Sequence, residues 1–401
     1  MTAYRAAWAC PIDRPPIRDA IIEIRDGVIA GVGEHSAWSH SGQELNDLGN
    51  VVLLPGLINA HTHLELSFLR GRVPPATSFT NWVKGLFATR GAPDAAMTAA
   101  MILPIHDAIR EAQASGTVAV GDITNSLAAV EPMHAAGLKG VVFHELLGFK
   151  ERGGALIEAT RAKRTAAAAH GLSVSLAPHA PYSTSLELFK AIRAEVDAQG
   201  GIMSVHLGES PEEVELLREG SGPWRGILEM IGAWRDDWAV PGCGPVEYLD
   251  RHGVIDRRTL VVHGVQFDES SLSTLRRLDA TLVTCPRSNQ WVGVGYPPIE
   301  RFFQSGVAVA VGTDSLASVE DLNLFSELRT MRWLAPTVPA RRILESATLV
   351  GARALGLDRE FGSLTAGKSA RMLAVSIPKG VANVEEYLLT GIEAPQVQWL
   401  A

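Results

Sequence analysis

Eight short apolar runs recur between residues 51 and 314, and most of them are continuous, with no alternation of polar and apolar residues. They read VVLLPGLINAHTH from Val51, TVAVGDI from Thr117, KGVVFHEL from Lys139, LSVSLAPH from Leu172, GIMSVHL from Gly201, TLVVHG from Thr259, ATLVTCP from Ala280 and VAVAVGTD from Val307. A continuous apolar strand is buried on both faces, the condition of a parallel sheet covered by helices. Helical spacing fills the intervals: Leu186, Phe189, Ile192 and Val196 fall on one face of one segment, and Ile343, Leu344 and Ala347 on one face of the last. Eight strand-helix units in series predict an α/β protein, a closed (β/α)8 TIM barrel in preference to an open sheet.

The two ends of the chain follow another pattern. Residues 20–33 (AIIEIRDGVIAGVG) hold two short β-rich runs joined at Asp26-Gly27, a strong hairpin signal, and residues 362–375 repeat the theme of turn glycines before an apolar run. We therefore expect one small β-domain built from both termini, residues 1–55 and 361–401, around a barrel spanning 56–360. Residues 220–244, rich in Trp and Gly, read as an enlarged loop after the fifth strand, either a lid at the barrel mouth or an apolar cover for a helix.

Composition narrows the function classes. No apolar stretch approaches a membrane span, and the first residues lack the apolar core of a secretory signal, so a cytoplasmic protein without a membrane partner is expected. A formal net charge of −8 with no long basic block argues against a nucleic-acid groove and for a small-molecule partner; a homodimer is compatible with the sequence. Cys10, Cys243 and Cys285 form no CxxC pair, which leaves histidine and carboxylate as the available metal ligands.

Those residues fall where a barrel collects its chemistry. His61 and His63, His179, His206, His263 and Asp314 each close a predicted strand, and in a barrel the C-terminal strand ends converge on one mouth. His35, His40, His106, His134, His170 and His252 lie in terminal, helical or loop segments and are assigned solvated or packing roles. His144 also follows a strand, but HELLG lacks the second histidine of a metalloprotease helix. Three imidazoles and a carboxylate, from His61, His63, His206 and Asp314, make a ligand set for zinc or another borderline divalent ion, with a position left for water. Such an ion brings the pKa of its water from 15.7 to roughly 7. Glu209 follows His206 by three residues and is placed to face substrate; its alternative is a favourable charge ahead of the helix that starts near Pro211. His263 is assigned to catalysis, against the alternative of a core histidine.

PGLINAHTHLE, HLGES, VVHG, TCPRSN and VGTDSLAS, in that order, resemble the amidohydrolase superfamily, in its branch of purine and pyrimidine deaminases and chlorohydrolases. The resemblance runs from about residue 20 to residue 375. It implies a distorted (β/α)8 barrel with a small β-sandwich from both termini, and one divalent metal, zinc before iron, held by His61, His63, His206 and Asp314. It also implies that a water held by His263 and Asp314 attacks an amine-bearing ring carbon while Glu209 protonates the adjacent ring nitrogen, and that His179 contacts substrate. The usual Ala-Asp-Leu near the end of such chains is Ala370-Arg371-Met372 here. Within the branch, HTHLELSFLRG, SFTNWV, GSGPW and TCPRSN look most like the aminodeoxyfutalosine deaminases of menaquinone biosynthesis. Deaminases or chlorohydrolases of adenosine, S-adenosylhomocysteine, guanine-type or triazine substrates are the alternative, and a non-catalytic scaffold a more distant one. A carboxylate-bearing substrate wants a cation, for which Arg287, Arg90 and Arg152 are candidates against the alternative of solvated surface arginines, and Trp82 or Trp224 either stacks on its ring or plugs the barrel mouth.

Overall fold

The computed structural model describes residues 2–38, 44–91 and 95–400, so His40 lies outside the described residues. At the N-terminus, β1 (Thr2–Ala9), β2 (Ile17–Arg25), β3 (Val28–Glu34), β4 (Glu44–Asp47) and β5 (Val51–Pro55) pair in one sheet. Asp26 and Gly27, both at positive φ, turn β2 back on β3 as the Asp-Gly pair predicts.

The chain then enters eight strands that alternate with helices: β6 (Leu57–Thr62), β7 (Thr117–Thr124), β8 (Lys139–Leu146), β9 (Ser173–Pro178), β10 (Met203–Leu207), β11 (Thr259–His263), β12 (Thr281–Thr284) and β13 (Ala308–Val311). All neighbouring pairs among them are parallel. Finally β14 (Met372–Ser376) and β15 (Val397–Leu400) return to the first sheet, β14 pairing antiparallel to β5. The terminal strands thus form one seven-stranded sheet, where the sequence suggested a sandwich.

Hydrogen-bonded pairing divides the eight parallel strands into two arcs of four, β6–β9 and β10–β13, where a single ring of eight was expected. The arcs nevertheless adjoin at both edges. On one side the His206 N–H donates to the His179 carbonyl at 2.9 Å, and on the other the Asp314 N–H donates to the His61 carbonyl at 3.1 Å. Ile58, Phe143, Ala177, Val262, Val283 and Ala310, from six strands of both arcs, share one buried apolar cluster. Complete burial of one such Phe or Val side chain contributes about 1.5–3 kcal/mol.

The second seam depends on a glycine. A Cβ at Gly312 would lie 2.5 Å from the His61 carbonyl oxygen, so only glycine lets the end of β13 press against β6. That approach carries Asp314 to the histidine pair. Outside the strands, the 220–244 stretch contains a helix, Pro223–Met230, which buries Trp224, Ile227 and Leu228. Among the described residues no helix is long and apolar enough to cross a membrane, and Cys10, Cys243 and Cys285 are buried and unpaired.

Candidate active site

The strand ends predicted to converge do so. His63 Nε2 lies 3.5 Å and His61 Nε2 3.8 Å from Asp314 Oδ1, and His206 Nε2 lies 3.4 Å from His63 Nε2. Both ring nitrogens of His61 are buried without a hydrogen-bond partner. Leaving such a group unpaired costs about 1–3 kcal/mol, a cost that a bound cation removes. His206 Nδ1 donates its N–H to the His179 carbonyl at 3.1 Å; a carbonyl only accepts, so the lone pair of His206 is on Nε2, facing His61 and His63. Burial, then the neighbouring histidines, holds His61 well below the usual histidine range, and burial takes His206 down to about 4. Neutral imidazole is the ligand form. The donor chemistry therefore fits one divalent ion shared by His61, His63, His206 and Asp314.

Two residues of this site break backbone convention. His263 (φ 79°) and Asp314 (φ 61°) occupy the left-handed region, which costs a non-glycine residue about 1–3 kcal/mol and persists only where packing imposes it. Hydrogen bonds hold both. Ser288 Oγ donates to Asp314 Oδ2 at 2.6 Å, and Asn289 Nδ2 donates to His263 Nδ1 at 3.0 Å. With Nδ1 accepting, the His263 ring hydrogen is on Nε2, which faces Glu209 Oε1 at 3.6 Å.

Glu209 stands just ahead of a capped helix. Ser210 Oγ accepts the Glu213 N–H, and Pro211 opens the helix Pro211–Glu219, so the cap is supplied without Glu209. The alternative role of Glu209 as a helix-terminal charge is therefore taken by other residues. The Glu213 carboxylate accepts the N–H groups of Gly208 and Glu209 at 3.0 and 3.1 Å, pinning the turn that aims Glu209 inward. Burial first, and then the negative charge of Asp314, pushes the Glu209 carboxyl well above the usual carboxylate range. Asp314 is also pushed up by burial, but its bond from Ser288 works against the shift. Two carboxyl groups in one site thus meet different surroundings.

These groups form the floor of a cleft with an empty volume of about 1080 Å³. Its walls are aromatic: Tyr182 stacks on Trp224 at 4.0 Å between ring centroids, with Phe79 edge-on to both and Trp82 stacked on Phe79. His179 lines the same cleft, its Nδ1 2.6 Å from Ser183 Oγ, and burial lowers it to about 4.

Arg287 is a correction. It lies outside the cleft, 2.8 Å from Asp321 and 3.6 Å from Glu327, because the helix Pro286–Trp291 turns it away from the face that presents Ser288 and Asn289. Arg152 pairs with Asp237 on the surface, whereas Arg90 lines the cleft. Sequence reasoning missed Glu145, whose Oε1 is 3.4 Å from His206 Nδ1, although it closes a strand as visibly as the histidines do. It also missed Glu65, which accepts hydrogen bonds from Thr124, Asn125 and Ser126. Burial raises the Glu65 carboxyl, but those bonds outweigh it and the net shift is downward.

Comparison with known proteins adds independent observations. The sequence profile of the amidohydrolase family matches residues 52–392. The chain is 30% identical over 380 residues to a 5-methylthioadenosine/S-adenosylhomocysteine deaminase of Moorella thermoacetica, covering 92% of this chain and 83% of that one. It is 30% identical over 334 residues to an aminodeoxyfutalosine deaminase of Deinococcus radiodurans, covering 80% and 76%. The crystal structure of Helicobacter pylori aminofutalosine deaminase in complex with methylthio-coformycin superposes with a TM-score of 0.86 at 25% identity, covering 100% and 97%.

Proposed function

This chain belongs to the amidohydrolase family, and from that premise we propose that it is a metal-dependent hydrolytic deaminase of an adenosine-type nucleoside. The observation that carries the reading is the gathering of Glu209, His263 and Asp314, with ligand atoms within 4.8 Å of one another, beside the histidine donors and beneath an aromatic cleft. We read the two arcs as halves of one distorted (β/α)8 barrel at 56–360, and the sheet of both termini as a separate small domain at 1–55 and 361–401.

His61, His63, His206 and Asp314 would hold the metal, with zinc preferred and iron second. Bound there, a divalent ion supplies Lewis acidity that makes water nucleophilic near neutral pH. The chain's own groups divide the proton traffic. His263, with its hydrogen on Nε2, orients the attacking water. Asp314 accepts a proton from that water, while Glu209, kept protonated by burial, donates its proton to the ring nitrogen next to the amine-bearing carbon. Asp314 then returns its proton to the departing amine while the hydroxyl proton left on the ring carbon passes back to Glu209, so that one water is consumed, one ammonia leaves, the ring becomes an oxo-purine and both carboxyl groups are restored. His179, Trp82 and Trp224 position the base.

The finer reading is aminodeoxyfutalosine as substrate, supported by the resemblance of the loops and by the Deinococcus relative. The similarity to the Moorella deaminase favours S-adenosylhomocysteine or 5-methylthioadenosine as the second reading. Ammonia release from aminodeoxyfutalosine, S-adenosylhomocysteine, 5-methylthioadenosine, adenosine, guanine and a chlorotriazine tests both. Turnover of the first above the others is expected, a preference for the second or third selects the alternative, and release from none of the nucleosides retires the deaminase reading.

A further inference from the structure

The helix Pro286–Trp291 supplies Ser288 to Asp314 and Asn289 to His263, so its placement decides how two floor groups are aimed. A helix of 6 residues is too short to hold its own position. Its start is also poorly provided for: Cys285, in the capping position, lends no side-chain acceptor, and Pro286 has no N–H. The first N–H that needs a partner is that of Arg287.

That partner comes from another helix. Glu327 lies in the first turn of the helix Leu324–Leu334 and is completely buried, and its Oε2 accepts the Arg287 N–H at 3.3 Å. Glu327 Oε1 has no hydrogen-bond partner and stands 3.6 Å from Arg287 Nη1. The guanidinium donates instead to Asp321 Oδ1 at 2.8 Å. Burial raises the Glu327 carboxyl to about 8, against the pull of Arg287. A buried carboxyl is costly, and with Asp321 already on the guanidinium its hydrogen bond goes to the backbone of the short helix. The supporting helix is itself fastened: Asn323 accepts the Phe325 N–H at 3.0 Å and donates to the Ile392 carbonyl at 2.8 Å.

We propose that Glu327 is a positioning residue: it fastens the start of the helix Pro286–Trp291 and thereby sets the directions in which Ser288 meets Asp314 and Asn289 meets His263. The consequence for turnover rests on the deaminase reading above; the consequence for geometry does not. What matters is where the acceptor stands, since one carbonyl oxygen, charged or neutral, satisfies one N–H.

Two substitutions separate position from charge. Glu327→Gln keeps the acceptor and discards the charge, whereas Glu327→Asp keeps the charge and withdraws the acceptor by one methylene. Both are assayed on the nucleoside that the parent turns over fastest, with metal content and melting temperature measured alongside. In Glu327→Asp we expect kcat per bound metal to fall about 10- to 100-fold and KM to stay within about threefold, because a shift near 1 Å in orienting groups costs about that much. Glu327→Gln stays within about threefold of the parent in kcat, its acceptor being in place. In a protein already carrying Ser288→Ala and Asn289→Ala, Glu327→Asp is expected to cost nothing further, since nothing is left for the helix to aim. A kcat in Glu327→Asp equal to the parent's overturns the proposal, as does an equal loss in Glu327→Gln or an undiminished loss in the Ser288→Ala, Asn289→Ala background. If the parent releases ammonia from no nucleoside, the deaminase reading falls and crystal structures decide the positioning role. A Ser288–Asp314 contact stretched beyond hydrogen-bond reach in Glu327→Asp then supports it, and one unchanged from 2.6 Å overturns it.

Discussion

On the floor of the cleft the chemical groups come from the last residues of parallel strands or the turns just beyond them; they are polar and mostly buried, and two of them, His263 and Asp314, are held in left-handed backbone. The wall above is assembled from the helices Phe79–Arg90 and Pro223–Met230 and the loop that carries Tyr182, and its aromatic side chains meet by stacked and edge-on contacts. The floor fixes positions through hydrogen bonds with defined directions, such as Ser288 to Asp314 and Asn289 to His263. The wall fixes a shape, which tolerates small displacements. Directional bonds suit a floor where one ångström decides proton transfer, and apolar stacking suits a wall that selects among related ligands.

The sharpest break in this contrast is His61→Ala. It removes a floor donor with two unpartnered nitrogens, and we expect both stoichiometric metal and turnover to be lost; metal analysis showing full occupancy would refute the ligand set. Next comes Glu209→Gln, which preserves volume and removes the proton donor of the proposed mechanism. Turnover should fall by about 10²–10⁴ while metal content and melting temperature stay near those of the parent, a result that normal activity would contradict.

On the wall, Trp224→Ala deletes the partner of Tyr182. The expected outcome is a higher KM with kcat reduced less than in the floor variants, together with about 3 kcal/mol of lost stability in denaturant titration. A kcat loss equal to that of Glu209→Gln would erase the distinction between floor and wall.

The smallest effect concerns His144, which neighbours Glu145 on β8 but does not line the cleft. Burial is the main cause that lowers it from 6.5 to about 4, so its neutral form stabilises the fold fully above pH 6.5, and that contribution is lost as pH falls toward 4. His144→Gln, which keeps a donor for the Asn125 carbonyl, should leave turnover at pH 8 unchanged and flatten the acid-side loss of stability by about 1–3 kcal/mol. Equal melting curves for parent and variant from pH 8 to pH 4.5 would remove His144 from the acid response.

The same contrast explains what could be read in advance. An apolar run that ends in a histidine or aspartate states its own geometry, because a buried parallel strand leaves its polar group nowhere to go but the C-terminal edge. Hence His61, His63, His206, His263 and Asp314 were legible. Glu145 obeyed the same rule and was hidden behind the more conspicuous His144. Ser288 and Asn289 act through a helix whose phase the letters do not give, and the same missing phase misassigned Arg287. The division into two arcs and the single sheet of the termini follow from pairing at strand edges, where no periodicity in the sequence marks the partner.

The seam that sets Asp314 against β6 joins residues 252 positions apart, through Thr62 Oγ1 and the Asp314 carbonyl. A nascent chain carries two of the four donors almost at once and must wait for nearly the whole catalytic region before the last arrives. A product truncated ahead of β13 would keep the histidine pair and lack both the seam and the fourth donor that the proposed ion site needs.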